Sequence, residues 1–168
     1  MSAIVRVGVI SDTHVPSRVA RLPERVLRHF EGVDHILHAG DLSRLAALDQ
    51  LAVYAPVDAV QGNVEWQEVV EALPIKRELL LGGVAVGMVH ILGEQPHYAR
   101  NARREFPDAR VVIFGHSHIP HIEEIGDLLL LNPGSATDRR RQPHCTIAVL
   151  TIEGGVPHAE LVPIEPPD

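Results

Sequence analysis

Short apolar runs rich in β-branched residues recur along this chain, separated by Gly, Pro and Asp. Ile4-Val5-Arg6-Val7-Gly8-Val9-Ile10 reads as a buried strand. Pro23 to Phe30 reads as a helix with proline in its first turn, and Asp34 to His38 as the next strand. Ser43 suits the N-cap of a helix running to about Leu51, with Leu45, Leu48 and Ala52 on one face. Val57 to Val60 follows as a short strand, and Trp66 to Leu73 as a short helix stopped by Pro74. The pattern then changes. Ile75 to Leu81 and Val84 to Val89 flank Gly82-Gly83 as a hairpin. His97 to Phe106 reads as a helix and Arg110 to Phe114 as a strand. Two more hairpins turn at Gly126-Asp127, between Ile122–Ile125 and Leu128–Leu131, and at Gly154-Gly155, between Thr146–Ile152 and Val156–Pro163.

Alternating strands and helices in the first half imply parallel pairing with crossover helices. Hairpins in the second half imply antiparallel strands. No internal repeat, linker or low-complexity segment interrupts residues 1–168. The pattern therefore predicts one α+β domain of two mixed β-sheets packed face to face, with helices outside.

Composition narrows the classes. Apolar residues make up 45% of the 168, enough for a real core, and no run approaches a membrane span. The formal net charge of -7 argues against an extended nucleic-acid surface. The single cysteine, Cys145, sits in a strand-like run and reads as a buried structural thiol. Met1-Ser2 leads straight into a strand without a charged stretch or cleavage site, so a cytoplasmic protein is expected. Histidine appears 11 times against only 4% aromatics. It is the commonest metal ligand and the usual proton carrier near neutral pH.

Several of those histidines fall at strand ends. Ile10 is followed by Ser11-Asp12-Thr13-His14, and His38 by Ala39-Gly40-Asp41. Val60 is followed by Gln61-Gly62-Asn63, Val89 by His90, Phe114 by Gly115-His116-Ser117-His118, and Leu131 by Asn132-Pro133-Gly134-Ser135. Taken singly, several of these are ordinary turn sequences. Taken together, they place a polar side chain at the carboxyl end of six strands, where sites form in open α/β sheets. Asp, His and Asn without thiolate suit Mn²⁺, Fe²⁺, Zn²⁺ or Ni²⁺, and there are enough ligands for two ions. Asp41, with two carboxylate oxygens, can bridge. Two ions about 3.5–4 Å apart can clamp a phosphate and activate water. Asp12 and Asp41 would leave such a pair with surplus positive charge, which favours an anionic substrate.

Asp12-x-His14, Gly40-Asp41, Gly62-Asn63, His90 and Gly115-His116-x-His118, in that order, resemble the motif set of the calcineurin-like metallophosphoesterase superfamily. The short length and Asn132-Pro133-Gly134-Ser135 resemble its small prokaryotic phosphodiesterase branch, and the likeness runs from about Ile4 to Leu150. The resemblance implies a four-layer α/β/β/α sandwich. It implies one metal held by Asp12, His14, Asp41 and His118, and a second by Asp41, Asn63, His90 and His116. Asp41, Asn63 and His90 would carry catalysis. It further implies Mn²⁺-supported hydrolysis of phosphodiesters and some monoesters, on small or nucleotidic substrates, by homo-oligomers (dimers or tetramers). Some members serve instead as binding subunits with little catalysis. Two positions depart from the superfamily pattern. The histidine that often follows Gly-Asn and protonates the leaving group is Val64 here, and a second histidine two residues after His90 is Leu92. Outside the motifs, His38 could orient Asp41, and the Arg139-Arg140-Arg141 run could contact a substrate phosphate. His97 and His121 lie near the motifs in sequence, while His29, His35 and His158 have no partner pattern.

Overall fold

The computed structural model describes residues 3–167. Ten strands form two five-stranded mixed sheets. The first contains β1 (Ile4–Ile10), β2 (His35–His38), β3 (Val57–Ala59), β9 (Thr146–Glu153) and β10 (Val156–Pro163), in the order β10-β9-β1-β2-β3. The second contains β4 (Lys76–Leu81), β5 (Val84–Val89), β6 (Val111–Ile113), β7 (His121–Ile125) and β8 (Leu128–Asn132), in the order β4-β5-β6-β8-β7. Helices α1 (Glu24–Leu27), α2 (Ala46–Ala52), α3 (Gln67–Ala72) and α4 (Tyr98–Glu105) connect them, with 3₁₀ turns at Arg28–Phe30 and Gln95–His97. No helix among the described residues is long and apolar enough to cross a membrane.

Three apolar layers explain the four-layer sandwich. Val7, Val9, Leu37, Met88, Ile113, Leu131 and Leu150 fill the space between the sheets. Val26, Leu27, Phe30, Ile36, Ala47, Leu51 and Ile147 pack the outer face of the first sheet against helices. Ala102, Phe106, Val112, Phe114, Leu128 and Leu130 do the same for α4 on the second. A strand buried on both faces needs apolar residues at every position, which is why β8 reads Leu128-Leu129-Leu130-Leu131 without alternation. Where Phe106, just after α4, packs onto β5, the strand carries glycine: a Cβ on Gly87 would overlap the Phe106 ring.

Two expectations from the sequence need correction. The hairpins β4-β5, β7-β8 and β9-β10 are antiparallel as read, but β5, β6 and β8 pair in parallel within the second sheet. The crossover through α4 allows this, and it matters for the site. With β1, β2 and β3 parallel in the first sheet, six strands across both sheets deliver their carboxyl ends to one place. Helix α2 also differs. Ser43 has a positive φ of 72° and does not cap it, and the buried residues are Ala47 and Leu51, not Leu45, Leu48 and Ala52. Ser43 is committed elsewhere: its Oγ lies 3.1 Å from Ser17 Oγ, and its N–H donates to Glu65.

Candidate functional site

Each strand end enters a tight loop, and the loops are laced to one another through their backbones. Asp12 N–H donates to Gly40 O, His14 N–H to Asp41 O, and Gly115 N–H to His90 O. The first two bonds join loops within the first sheet, and the third joins loops of the second. The sheets are joined by the His90 ring, whose Nδ1 lies 2.7 Å from Ala39 O. This approach leaves no room for a side chain at Gly40, where a Cβ would fall 2.7 Å from His90 Nδ1.

The backbone conformation is unusual at the candidate ligands. Asp12, His14, Asp41, His116 and His118 have φ of 55, 47, 57, 73 and 61°. Ser43 and Arg140 are the only other non-glycine residues with positive φ among those described. A non-glycine side chain in this region costs roughly 1–3 kcal/mol and persists only where the surroundings enforce it. Five such residues converging on one site mark it as built for function at the expense of stability. Replacing His116, whose backbone N–H to Asp12 Oδ2 would survive, tests this directly. His116→Gly should stabilise the metal-stripped protein by up to about 1 kcal/mol, or about 2–4 °C in Tm, by relieving the strain. A lower Tm than the parent in thermal denaturation would contradict this.

The seven side chains meet as two triads with Asp41 between them. Donor atoms of Asp12, His14 and His118 lie within 4.8 Å of one another, and so do those of Asp41, His90 and His116. The His90 and His116 rings are 5.3 Å apart. Asn63 Oδ1 lies 3.1 Å from both His90 Nε2 and His116 Nδ1. Asp41 Oδ1 accepts the N–H groups of Asn63 (2.9 Å) and Val64 (3.0 Å). Its Oδ2 is left facing His90 Nε2 at 3.2 Å and His14 Nε2 at 3.9 Å, one histidine from each triad.

The ring orientations suit these atoms to holding a cation. Ala39 O and Asp138 O can only accept, so Nδ1 of His90 and of His118 (2.6 Å from Asp138 O) must carry the hydrogen. Nε2 of each neutral ring then presents a lone pair. His118 Nε2 lies 3.3 Å from Asp12 Oδ1, yet both atoms are buried without a hydrogen-bond partner. Lone pairs facing one another across such distances fit a shared divalent ion, and the Asp/His/Asn donor set fits Mn²⁺, Fe²⁺, Zn²⁺ or Ni²⁺. Proton affinities express the same field. Burial disfavours a charged His90, but Asp41 and Asp12 outweigh it and raise its pKa. Burial alone would raise the carboxyl of Asp41, yet the His90 contact leads the groups that bring it down to about 2.

Behind the triads stands a set of positioning groups that the motif reading touched only in part. His38 is fully buried, and burial drives its pKa down to about 3, so its ring is neutral. Its Nδ1 accepts Gly40 N–H, so Nε2–H donates to Thr13 Oγ1; it ties the Asp12 loop to the Asp41 loop and does not touch the Asp41 carboxylate. Glu65 was not singled out in the sequence. Its carboxylate accepts N–H groups from Leu42, Ser43 and Gly62, stapling the Asp41 loop to the Asn63 loop. The available signal was an acidic residue three positions after Gly62. Asn132 donates to Gly115 O and Ser117 Oγ, and Ser135 Oγ donates to Asp12 O. His29, His35 and His158 lie outside both triads; His35 instead pairs with Asp58 at 2.8 Å. His97 is exposed, and the His121 ring meets Tyr98 edge-on. Val64 is 51% exposed and apolar beside Asn63.

The profile of the calcineurin-like phosphoesterase superfamily domain matches residues 5–155. A probable metallophosphoesterase of Methanothermobacter thermautotrophicus is 40% identical over 163 residues, covering 93% of this chain and 91% of the relative. Another, from Methanocaldococcus jannaschii, is 38% identical over 95% of this chain and 81% of its own. Among solved structures, Vps29 of Entamoeba histolytica complexed with zinc has a TM-score of 0.74 at 25% identity, covering 95% of this chain and 99% of that one. With the profile spanning nearly the whole chain and relatives this similar, the protein belongs to the calcineurin-like phosphoesterase superfamily.

Proposed function

We propose that the protein is a phosphodiesterase, active also on some monoesters, that works with two divalent ions. Asp12, His14 and His118 would hold one ion. His90, His116 and Asn63 would hold the other, and Asp41 would serve both. The observation that carries this reading is Asp41 Oδ2, which faces a histidine nitrogen from each triad. Bound ions would supply charge to stabilise the phosphoryl oxygens and would make water acidic enough to attack phosphorus. Mn²⁺ is the first metal to try, and a small or nucleotidic phosphoester the first substrate class.

The chain's own residues set the limits of this chemistry. Val64 occupies the position from which a superfamily member often protonates the leaving oxygen, and it cannot donate. A positioned general acid typically contributes about 10²–10⁴-fold. Hydrolysis should therefore depend strongly on leaving-group acidity, with aryl diesters cleaved readily and simple alkyl diesters poorly. Rates across substituted phenyl esters should fall steeply as the phenol weakens. A flat series with chemistry rate-limiting would show that another group supplies the proton. Apolar side chains also flank the ligands: Val64, Ile91 and Ile119 each directly follow Asn63, His90 and His118 and are about half exposed. They suit an aryl or similarly apolar ester group.

The likeness to Vps29 supports a second reading, a metal-bound binding subunit with little catalysis. The intact ligand set favours the enzyme. Stripped protein reloaded with Mn²⁺ should release p-nitrophenol from bis(p-nitrophenyl) phosphate. Metal uptake without turnover on any phosphoester would favour the binding subunit.

A further inference from the structure

The Asn132-Pro133-Gly134-Ser135 motif closes β8 and supplies no member of either triad. The segment it opens is nonetheless bonded to two of them. Ser135 is buried, and its Oγ donates to Asp12 O at 2.8 Å and accepts Asp138 N–H at 2.9 Å. The carbonyl of Asp138 in turn accepts His118 Nδ1–H at 2.6 Å. One hydroxyl therefore closes a path from the backbone of Asp12 to the ring of His118. Thr137 runs alongside it: its Oγ1 donates to Thr13 O at 2.8 Å and lies 3.2 Å from Asp12 O.

The two residues joined by this path are those whose metal-facing atoms are most exposed to misplacement. Asp12 Oδ1 and His118 Nε2 lie 3.3 Å apart, buried and without a hydrogen-bond partner. Both residues also sit on left-handed backbone, with φ of 55 and 61°, which surrounding contacts must enforce. An ion binds tightly where its ligands are already held at bonding distance, and the groups that hold them act on its affinity without touching it. The other triad is held differently. Asp41 Oδ1 takes the N–H groups of Asn63 and Val64, and the His90 ring bonds to Ala39 O. Among the described residues, no hydrogen bond of the Ser135 or Thr137 hydroxyl reaches Asp41, Asn63, His90 or His116.

We propose that Ser135 is a positioning residue for one ion only, the one held by Asp12, His14 and His118. Its hydroxyl fixes Asp12 relative to His118, so the motif gives the two ions unequal support. This rests on the two-ion reading of the site.

The test titrates Mn²⁺ calorimetrically into the metal-stripped full chain. The binding event that His14→Ala removes belongs to the first triad. Ser135→Ala should weaken that event by about 10–100-fold, as loss of a group supporting a ligand typically does, and leave the other within about 3-fold. Thr137→Val should weaken the same event by less. Thr146→Val is the control: it removes a bond to Pro133 O in the same segment that leads to no ligand, so it should lower Tm and leave both events as in the parent. First-triad affinity of Ser135→Ala within about twofold of the parent would overturn the proposal. Equal weakening of both events, or an equal loss in Thr146→Val, would overturn it too, since either marks a general loosening of the loops. If Ser135→Ala does not fold by circular dichroism, Thr137→Val decides: selective weakening of the first-triad event supports the proposal, and no change or equal weakening overturns it. A parent that shows a single binding event would refute the two-ion reading. The role of Ser135 would then stand only if His14→Ala removes that event and Ser135→Ala weakens it.

Discussion

Asp41→Asn should lose more metal and more activity than a change at any other candidate ligand. The substitution is nearly isosteric, and the Asn oxygen can still accept the N–H groups that Asp41 Oδ1 takes from Asn63 and Val64. The amide nitrogen would then occupy the position of Oδ2, facing His90 Nε2 and His14 Nε2. A donor without a lone pair would stand where both triads need an acceptor, and one of only two carboxylates would be gone. Loss of a single electrostatic group at an active site typically costs 10²–10³-fold in kcat, and a group serving two ions should cost on the order of that or more. His14→Ala or His118→Ala should chiefly weaken one ion. Metal analysis beside kcat/KM separates the cases. Asp41→Asn with parental metal content and activity would overturn the shared role of Asp41.

Gly62→Ala should damage the site almost as severely without touching any ligand atom. Gly62 is not among the glycines with positive φ, so backbone strain of that kind is not the issue. A Cβ there would overlap Asp41 Oδ1 and the Asp41 N–H, and would lie 2.8 Å from Asp41 Cγ. Neither side can yield cheaply. The Asp41 carboxylate is held by two backbone donors, and Gly62 N–H is held by Glu65. Overpacking of this kind costs typically about 1–3 kcal/mol, and here the displaced group is the one between the triads. The expected result is a folded protein by circular dichroism with a modestly lowered Tm and metal binding reduced by at least about 10–100-fold. Unchanged metal affinity in calorimetry would mean that the Asp41 loop is looser than its hydrogen bonds imply.

Much of the fold was legible because it depends on short-range pattern. β1 and β5 end where the apolar runs end, and all three hairpins turn at Gly-Gly or Gly-Asp pairs. The parallel order β5-β6-β8 was not legible, because no local signal reports which distant strand becomes a neighbour. The buried stripe of α2 was misread because Ser43 looked like a cap, when Glu65 and Ser17 hold it in another conformation. The candidate ligands stood out by chemical type at strand ends. Their left-handed backbones did not, since nothing in Asp, His or Ser at one position announces a φ that the surrounding loops impose. Glu65 was hidden for the same reason: a carboxylate that binds three backbone N–H groups from two loops looks, in sequence, like any surface glutamate.

The most direct test of the central claim is an anomalous difference map from crystals of the Mn²⁺-loaded protein, recorded at the manganese edge. The account predicts two peaks about 3.5–4 Å apart. One should lie among Asp12, His14 and His118, the other among His90, His116 and Asn63, with Asp41 Oδ2 within bonding distance of both. A single peak at saturating metal, or two peaks that Asp41 does not join, would contradict it.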